Sequence, residues 1–282
     1  MDLKIKNFNG YQLLDSGEGK KLERFSSIVM QRPCPQAIWP KKHKSLWKNC
    51  QAVFHRTESG SGHWAFSKGE GGDAFLAKID MLSFEIRFTG FGNVGFFPEH
   101  TVHFDWMKSL VESLEKPAKV LNLFAYTGGA SMICAQAGAV VTHVDAAKSV
   151  NGWAMHNGRL SNIKDGAIRY LADDALKFVK KELRRNNRYD AIIMDPPTYG
   201  RGSKGETWKI ERDFDELVQN CKQLLSDNPL FMLVTSHSPG VSPRVLENLI
   251  KHKNNKIQSG EMLLFQKENP LPAGVYARWS SQ

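Results

Sequence analysis

The chain has 282 residues, 41% of them hydrophobic and 24% charged, and carries a net charge of +9. That balance suits one large or two smaller globular domains with a real core, and it excludes a disordered or collagen-like chain. No apolar run approaches the ~20 residues that cross a bilayer, and Met1-Asp2-Leu3-Lys4-Ile5-Lys6 lacks the apolar stretch of a secretory signal, so a cytoplasmic protein is expected.

Up to about Gly92 the chain shows short runs of strand-forming residues at 11–14, 24–30, 52–56, 64–66 and 84–88. Turn residues separate them at Asp15-Ser16-Gly17, Ser59-Gly60-Ser61-Gly62 and Glu70-Gly71-Gly72-Asp73. This predicts a small, mainly β domain over 1–92. The same region leans basic: residues 1–90 hold 14 Lys+Arg against 9 Asp+Glu, so a third of the chain carries over half of the surplus. Positive charge serves solubility in many proteins, but with Lys41, Lys42, Lys44 and Lys48 interleaved with Trp47 it also suits phosphate and base contacts.

The hydrophobic period then changes. Phe104, Met107, Leu110, Val111 and Leu114 share one face of a helix over 103–114, closed by Pro117. Strands are expected at 120–125, 140–144, 168–171, 191–194 and 230–235, alternating with helices at 130–137, 150–160, 174–185, 214–225 and 243–250. Two β-like runs at 262–266 and 274–279 close the chain. Repeated βα units predict an α/β, Rossmann-like parallel sheet with helices on both faces, in a second domain over 93–282. Basic residues at Lys177, Lys180, Lys181, Arg184 and Arg185 form either a further nucleic-acid contact or a solvated helix edge.

A doubly wound sheet binds its ligand at the carboxyl ends of its strands. The first strand here ends in Asn122-Leu123-Phe124-Ala125-Tyr126-Thr127-Gly128-Gly129, where glycine lets the backbone turn tightly before a helix N-terminus. Glycine pairs also close such turns for structural reasons alone. The second strand ends in Asp145, placed to accept both hydroxyls of a ribose or to cap the next helix. After the third strand Asp174, before Ala175, is placed to accept from an adenine amino group, or again to cap a helix. The fourth strand delivers Asp195-Pro196-Pro197-Thr198-Tyr199; the prolines fix the backbone and leave the carboxylate aimed into the crevice. No G-x-G-x-x-G or P-loop pattern occurs, so a phosphate-free nucleoside cofactor, S-adenosylmethionine (SAM), fits better than a dinucleotide or ATP. The cysteines Cys34, Cys50, Cys134 and Cys221 are scattered, which predicts reduced, mostly buried thiols and no metal.

These residues resemble the class I SAM-dependent methyltransferases related to the bacterial large-subunit rRNA methyltransferases of the cytosine-5 type. The likeness covers about 95–239 and includes Phe96-Phe97-Pro98-Glu99-His100, 121–128, His143-Val144-Asp145-Ala146, Asn157, Asp174-Ala175 and Asp195-Pro196-Pro197. The resemblance implies a seven-stranded sheet with its last pair antiparallel. It also implies a SAM-binding set of Phe97, Glu99, Asn122, Phe124, Ala125, Tyr126, Gly128, Asp145, Ala146, Asn157, Asp174, Ala175, Asp195 and Pro196, and RNA, foremost ribosomal, as substrate. The chain departs from the cytosine-5 pattern in one place. Where those relatives carry the nucleophilic cysteine after the fifth strand, this chain has Thr235-Ser236-His237-Ser238. Attack on cytosine C5 needs that thiol, so a base nitrogen or exocyclic amine is the expected acceptor. Asp195 would orient the acceptor or take its proton, Tyr199 would stack on a base and His237 would act as acid or base, although packing alone accounts for either ring. A catalytically silent nucleic-acid-binding module and a small-molecule or protein methyltransferase remain the alternatives.

Overall fold

A computed structural model of the chain describes all residues except 6–7, 59, 68–71, 203–204, 267–268 and 282. The strands of the N-terminal region are β1 (Leu3–Lys4), β2 (Tyr11–Gly17), β3 (Lys20–Phe25), β4 (Ile28–Pro33), β5 (Ala52–Arg56), β6 (Gly62–Phe66), β7 (Ala74–Ile79) and β8 (Leu82–Arg87). Strand β8 shows why they form: Leu82, Phe84 and Ile86 are buried while the residues between them are half-exposed, the period-two pattern of a sheet with one covered face. Strands β2 to β6 make a five-stranded sheet in chain order, and β7 pairs with β8.

Two sequence expectations change here, and β7 is new. The run at 24–30 is two strands, not one: Ser26 takes a left-handed φ of 53° and folds β3 back onto β4, pairing Phe25 with Ile28. Asp15-Ser16-Gly17 is the buried end of β2 rather than a turn. A bulge precedes Asp15, and its carboxylate accepts from the backbone N–H groups of Ser16 and His43, the Trp47 indole and Gln266. A turn-forming side chain can therefore be fully buried, because all its hydrogen bonds are made. Strand β7 was not expected: its burial alternates, with Phe75, Ala77 and Ile79 on the covered side, but the apolar Leu76 is exposed and masks that period in the sequence. Of the other two turn readings, Ser59 and the Glu70-Gly71 pair lie outside the described residues.

The second half supplies α1 (Phe104–Glu112), β9 (Lys119–Leu123), α2 (Gly129–Gln136), β10 (Val140–Asp145), α3 (Lys148–Leu160), β11 (Ile168–Ala172), α4 (Ala175–Arg184), β12 (Ala191–Met194), β13 (Tyr199–Arg201), β14 (Thr207–Lys209), α5 (Ile210–Leu224), β15 (Phe231–Ser236), α6 (Pro243–Ile250), β16 (Gln258–Leu264) and β17 (Leu271–Ser280). The large sheet runs β1-β16-β17-β15-β12-β9-β10-β11. Strands β9, β10, β11, β12 and β15 are parallel, and β17 runs antiparallel to β15. The seven expected strands are thus present, and the short β1 adds an eighth at the edge. Leu121, Leu123, Ile192, Met194, Met232 and Val234 pack against Phe178, Val179, Phe214, Leu217, Leu246 and Ile250 in one buried cluster. The β13–β14 hairpin was not expected; it inserts between β12 and α5.

The chain divides into two compact units. One comprises Lys4–Glu99 with Leu263–Pro272, and the other comprises Met1–Leu3, His100–Met262 and Ala273–Gln282. Among the described residues no helix is long and apolar enough to cross a membrane.

Candidate active site

Strand register aligns the chemistry. Leu123 of β9 pairs with both Val144 of β10 and Met194 of β12, and Met194 pairs with Val234 of β15. Four strands therefore end in one row, and the residues just beyond it include Phe124, Asp145 and Asp195. Chain order reverses between β9 and β12, which makes this edge the switch point where doubly wound sheets open a crevice.

The loop after β9 is bent hard. Phe124, Tyr126 and Gly128 have φ of 53°, 49° and 93°, a left-handed conformation that costs an ordinary side chain about 1–2 kcal/mol. Such residues persist only where their surroundings hold them, and the holding contacts are evident. Asp145 Oδ2 accepts from Tyr126 N–H at 3.0 Å and Oδ1 accepts from Ala147 N–H at 3.0 Å. Ala125 N–H donates to Val144 O, and Asn157 Nδ2 donates to Thr127 O. At Gly128 a Cβ would meet Ala154 only at an ordinary 3.5 Å, so glycine is needed there for its φ rather than for space.

Asp145 is half-buried, and burial pushes its carboxyl pKa up against the two backbone hydrogen bonds that favour the ion. Each oxygen receives one bond and keeps a lone pair, which suits two hydroxyl donors. Ala146, beside it, is half-buried. Asn122 and Asn157 are buried, and Asn157 holds the loop through Thr127 O. Asn122 Nδ2 donates to Ser131 Oγ at 2.9 Å, and Ser131 Oγ lies 3.0 Å from His143 Nδ1. Burial pushes the His143 imidazole down to about 3, so it sits there neutral.

Asp174 caps α4: its Oδ1 accepts from Lys177 N–H at 2.9 Å, while the neighbouring Asp173 pairs with Lys181 at 2.6 Å. Ala175 is buried beneath them. The basic edge of α4 is an ion-paired face, with Lys177 on Glu206, Lys180 on Glu216 and Arg185 on Glu182.

After β12, Pro196 is buried and Pro197 O accepts from the Trp208 indole at 2.7 Å. The Trp208 ring stands 4.9 Å from Phe124. Thus the β13–β14 hairpin is tied to the loop that carries Asp195. Tyr199 is exposed on that hairpin, and its hydroxyl accepts from Arg201 Nε at 2.8 Å. Asp195 faces two imidazoles: His237 Nδ1 lies 3.4 Å from Oδ1, and His100 Nε2 lies 3.4 Å from Oδ2. Burial opposes ionisation of Asp195, but the positive charge that His237 and His100 can carry holds its carboxyl well below the usual carboxylate range. His100 was not singled out from the sequence; it stands 95 residues before Asp195, and only the fold joins them. Phe97 and Glu99 belong to the other unit, where Glu99 is buried and its charge acts on Tyr11 and Arg32.

Known proteins resemble the chain over much of its length. Residues 50–270 match the family described as S-adenosylmethionine-dependent methyltransferase. A ribosomal RNA large subunit methyltransferase K/L from Shewanella frigidimarina is 33% identical over 147 residues, 51% of this chain and 20% of the relative. The chain thus spans about a fifth of that relative's length. The crystal structure of the SAM-dependent methyltransferase from Agrobacterium tumefaciens superposes with a TM-score of 0.96 at 35% identity, over 100% of this chain and 94% of that one. SMU.776, solved in complex with SAH, shares the fold with a TM-score of 0.75 at 16% identity, over 97% of this chain and 76% of that one.

Proposed function

Because the chain belongs to the S-adenosylmethionine-dependent methyltransferase family and SAM is its cofactor, we propose that it methylates RNA, at a base nitrogen or exocyclic amine rather than at cytosine C5. One observation carries the choice of acceptor. The group beside Asp195 is His237, and the two cysteines of this unit, Cys134 and Cys221, are fully buried, their thiol pKa values raised by burial. A thiolate nucleophile needs exposure and a lowered pKa. The RNA reading draws support from the large-subunit rRNA relatives and from the N-terminal charge surplus, and it implies work in the cytoplasm, on ribosomal RNA first.

The residues present suit SAM. Asp145 offers two lone pairs to a ribose, the Phe124–Gly128 loop presents backbone where a phosphate-binding glycine pattern is missing, and Ala146, Asp174 and Ala175 follow along the same sheet edge. SAM supplies a methyl on a sulfonium, whose displacement disperses positive charge. The chain's part is then to hold the acceptor in line and to handle its proton. Asp195 accepts a hydrogen bond from an amine or ring N–H and stays ionised while doing so. His237 stands on Asp195 to take the proton that the methylated nitrogen sheds. Tyr199, exposed on its hairpin, offers a ring on which a base stacks.

The experiment is a comparison of modified nucleosides, by mass spectrometry, in ribosomal RNA from cells with and without the gene. Loss of one N-methylated nucleoside, restored by the wild-type gene and not by an Asp195→Ala copy, is expected. An unchanged nucleoside profile, or loss of 5-methylcytidine, contradicts the proposal.

A further inference from the structure

We propose that the β13–β14 hairpin holds the acceptor as a single-stranded RNA segment, with the Tyr199 ring under a base and Arg201 and Lys209 on the phosphates. This rests on the RNA reading above and adds the form of the RNA and the groups that grip it. Pairing sets Tyr199 against Lys209, Gly200 against Trp208 and Arg201 against Thr207. Side chains alternate across a strand, so the hairpin has two unlike faces. Trp208 is buried and Gly200 half-buried on one, while Tyr199, Arg201, Thr207 and Lys209 are exposed on the other.

The covered face and the root of the hairpin fix the exposed face. Besides the Trp208 bond to Pro197 O, Thr198 Oγ1 donates to Ser238 Oγ at 2.8 Å and Lys209 N–H donates to Asp213 Oδ2 at 2.8 Å. Ile210 N–H closes the root on Thr198 O at 3.1 Å. Tyr199 follows Asp195 by four residues, so their Cα atoms are at most about 14 Å apart. RNA lying on the exposed face is therefore within short reach of the Asp195 carboxylate. Directly opposed Cβ atoms in such a pair are about 5 Å apart, and residues two along a strand about 7 Å. A base on Tyr199 thus has one cation opposite it and a second along the strand.

Charge names the occupant. Cations on the neighbouring helices are neutralised: Lys177 pairs with Glu206, Lys180 with Glu216, Lys181 with Asp173 and Arg212 with Asp213. Among the described residues no carboxylate pairs with Arg201 or Lys209. Arg201 donates from Nε to the Tyr199 hydroxyl at 2.8 Å, which leaves the outer N–H groups of its fork for phosphate oxygens. Two such cations beside an exposed aromatic ring are what single-strand binders use, the ring for bases and the charge for the backbone. A duplex fits poorly, because its stacked bases offer Tyr199 no face. It also withholds the acceptor: ring nitrogens and exocyclic amines on the pairing edge are free only in an unpaired base.

The probe is a fluorescently labelled RNA of about 12 nucleotides, within the site sizes of single-strand binders, used alone and annealed to its complement. Its anisotropy is followed with the full chain across a salt series, alongside calorimetric titration with SAM. The single strand is expected to bind more tightly than the duplex. Arg201→Ala with Lys209→Ala, checked for native circular dichroism, should lower the log–log salt slope by about 1.4, from about 0.7 per phosphate. Arg201→Lys keeps the charge and should keep the slope. Tyr199→Ala should weaken binding by at least about fivefold, the loss of one stacked base, and Tyr199→Phe should not. SAM affinity should be unchanged in all four. The proposal is overturned if the duplex binds as tightly as the single strand, or if the double variant keeps wild-type affinity and slope. RNA binding that persists in that variant removes this surface and leaves the RNA reading standing, whereas wild type that binds no RNA removes both. Variants that behave as expected, with an unchanged nucleoside profile in ribosomal RNA, support the surface and remove only the ribosomal acceptor.

Discussion

Cys134 and Cys221 are both fully buried, on α2 and α5. Burial pushes the Cys134 thiol up to about 12 and the Cys221 thiol higher still, so neither is a thiolate near neutral pH. Cys221→Ala should therefore retain methyl transfer to RNA, at a stability cost of about 1 kcal/mol for the small cavity left behind. Serine is the poorer probe, since a hydroxyl without a partner in that core costs more than the missing sulfur. RNA carrying 5-fluorocytidine should give no SAM-dependent covalent complex on a denaturing gel; a stable adduct would contradict the non-covalent reading. The placement of a single residue was legible in sequence where a strand end and an acid coincide, as at Asp145 and Asp195, which stand at the carboxyl ends of β10 and β12. Placement was not legible where two distant segments meet, as at His100 beside Asp195. Asp174 shows the remaining ambiguity, because one side chain type serves equally as adenine acceptor and as the helix cap that its bond to Lys177 N–H makes it.

Elements with sharp apolar edges were read to the residue: β5, β12 and α6 have the bounds their composition implies. The β13–β14 hairpin was missed because Tyr199-Gly200-Arg201 and Thr207-Trp208-Lys209 are too short to show a period, and only their cross-strand pairing defines them. Between β9, α2 and β10 lies a buried polar chain, Asn122–Ser131–His143, that has its own pH signature. The folded-state pKa of His143 is pushed from 6.5 down to about 3, so as pH drops the unfolded chain takes up this proton first. The stability held by the neutral ring is complete above about pH 6.5 and drains away between 6.5 and 3. At pH 5 the loss amounts to about 2 kcal/mol. Urea denaturation at pH 7.5 and pH 5 should show it, and in His143→Gln, which cannot titrate, the difference between the two pH values should shrink by about that amount. An identical acid dependence in wild type and variant would remove His143 as its source.

At the scale of the whole molecule, the alternation of strands and helices predicted the doubly wound sheet. It gave no sign that Leu263–Pro272 returns to the N-terminal unit, since nothing local marks a segment whose partners lie some 250 residues away. The basic segment at 41–48 also reads differently once folded. Lys41 sits over the Trp47 ring at 4.3 Å and on Glu18 at 3.2 Å, and the Trp47 indole donates to Asp15. Lys44 and Lys48 are exposed, and they are the better phosphate contacts. If RNA is the partner, affinity should fall with salt at a log–log slope of roughly −2 to −4, about −0.7 per phosphate neutralised on a single strand. Lys44→Ala with Lys48→Ala should flatten that slope by about 1 and leave SAM affinity unchanged. Filter binding across a salt series measures both, and a salt-independent affinity would turn the reading toward a small-molecule or protein acceptor. The methyl-transfer chemistry rests on the cofactor, and calorimetric titration of the purified chain with SAM tests it most directly. One site per chain is expected, weakened by about 1.5–3 kcal/mol in Asp145→Ala, the worth of hydrogen bonds to a charged group. A wild-type chain that ignores SAM and binds NAD or ATP instead would contradict it.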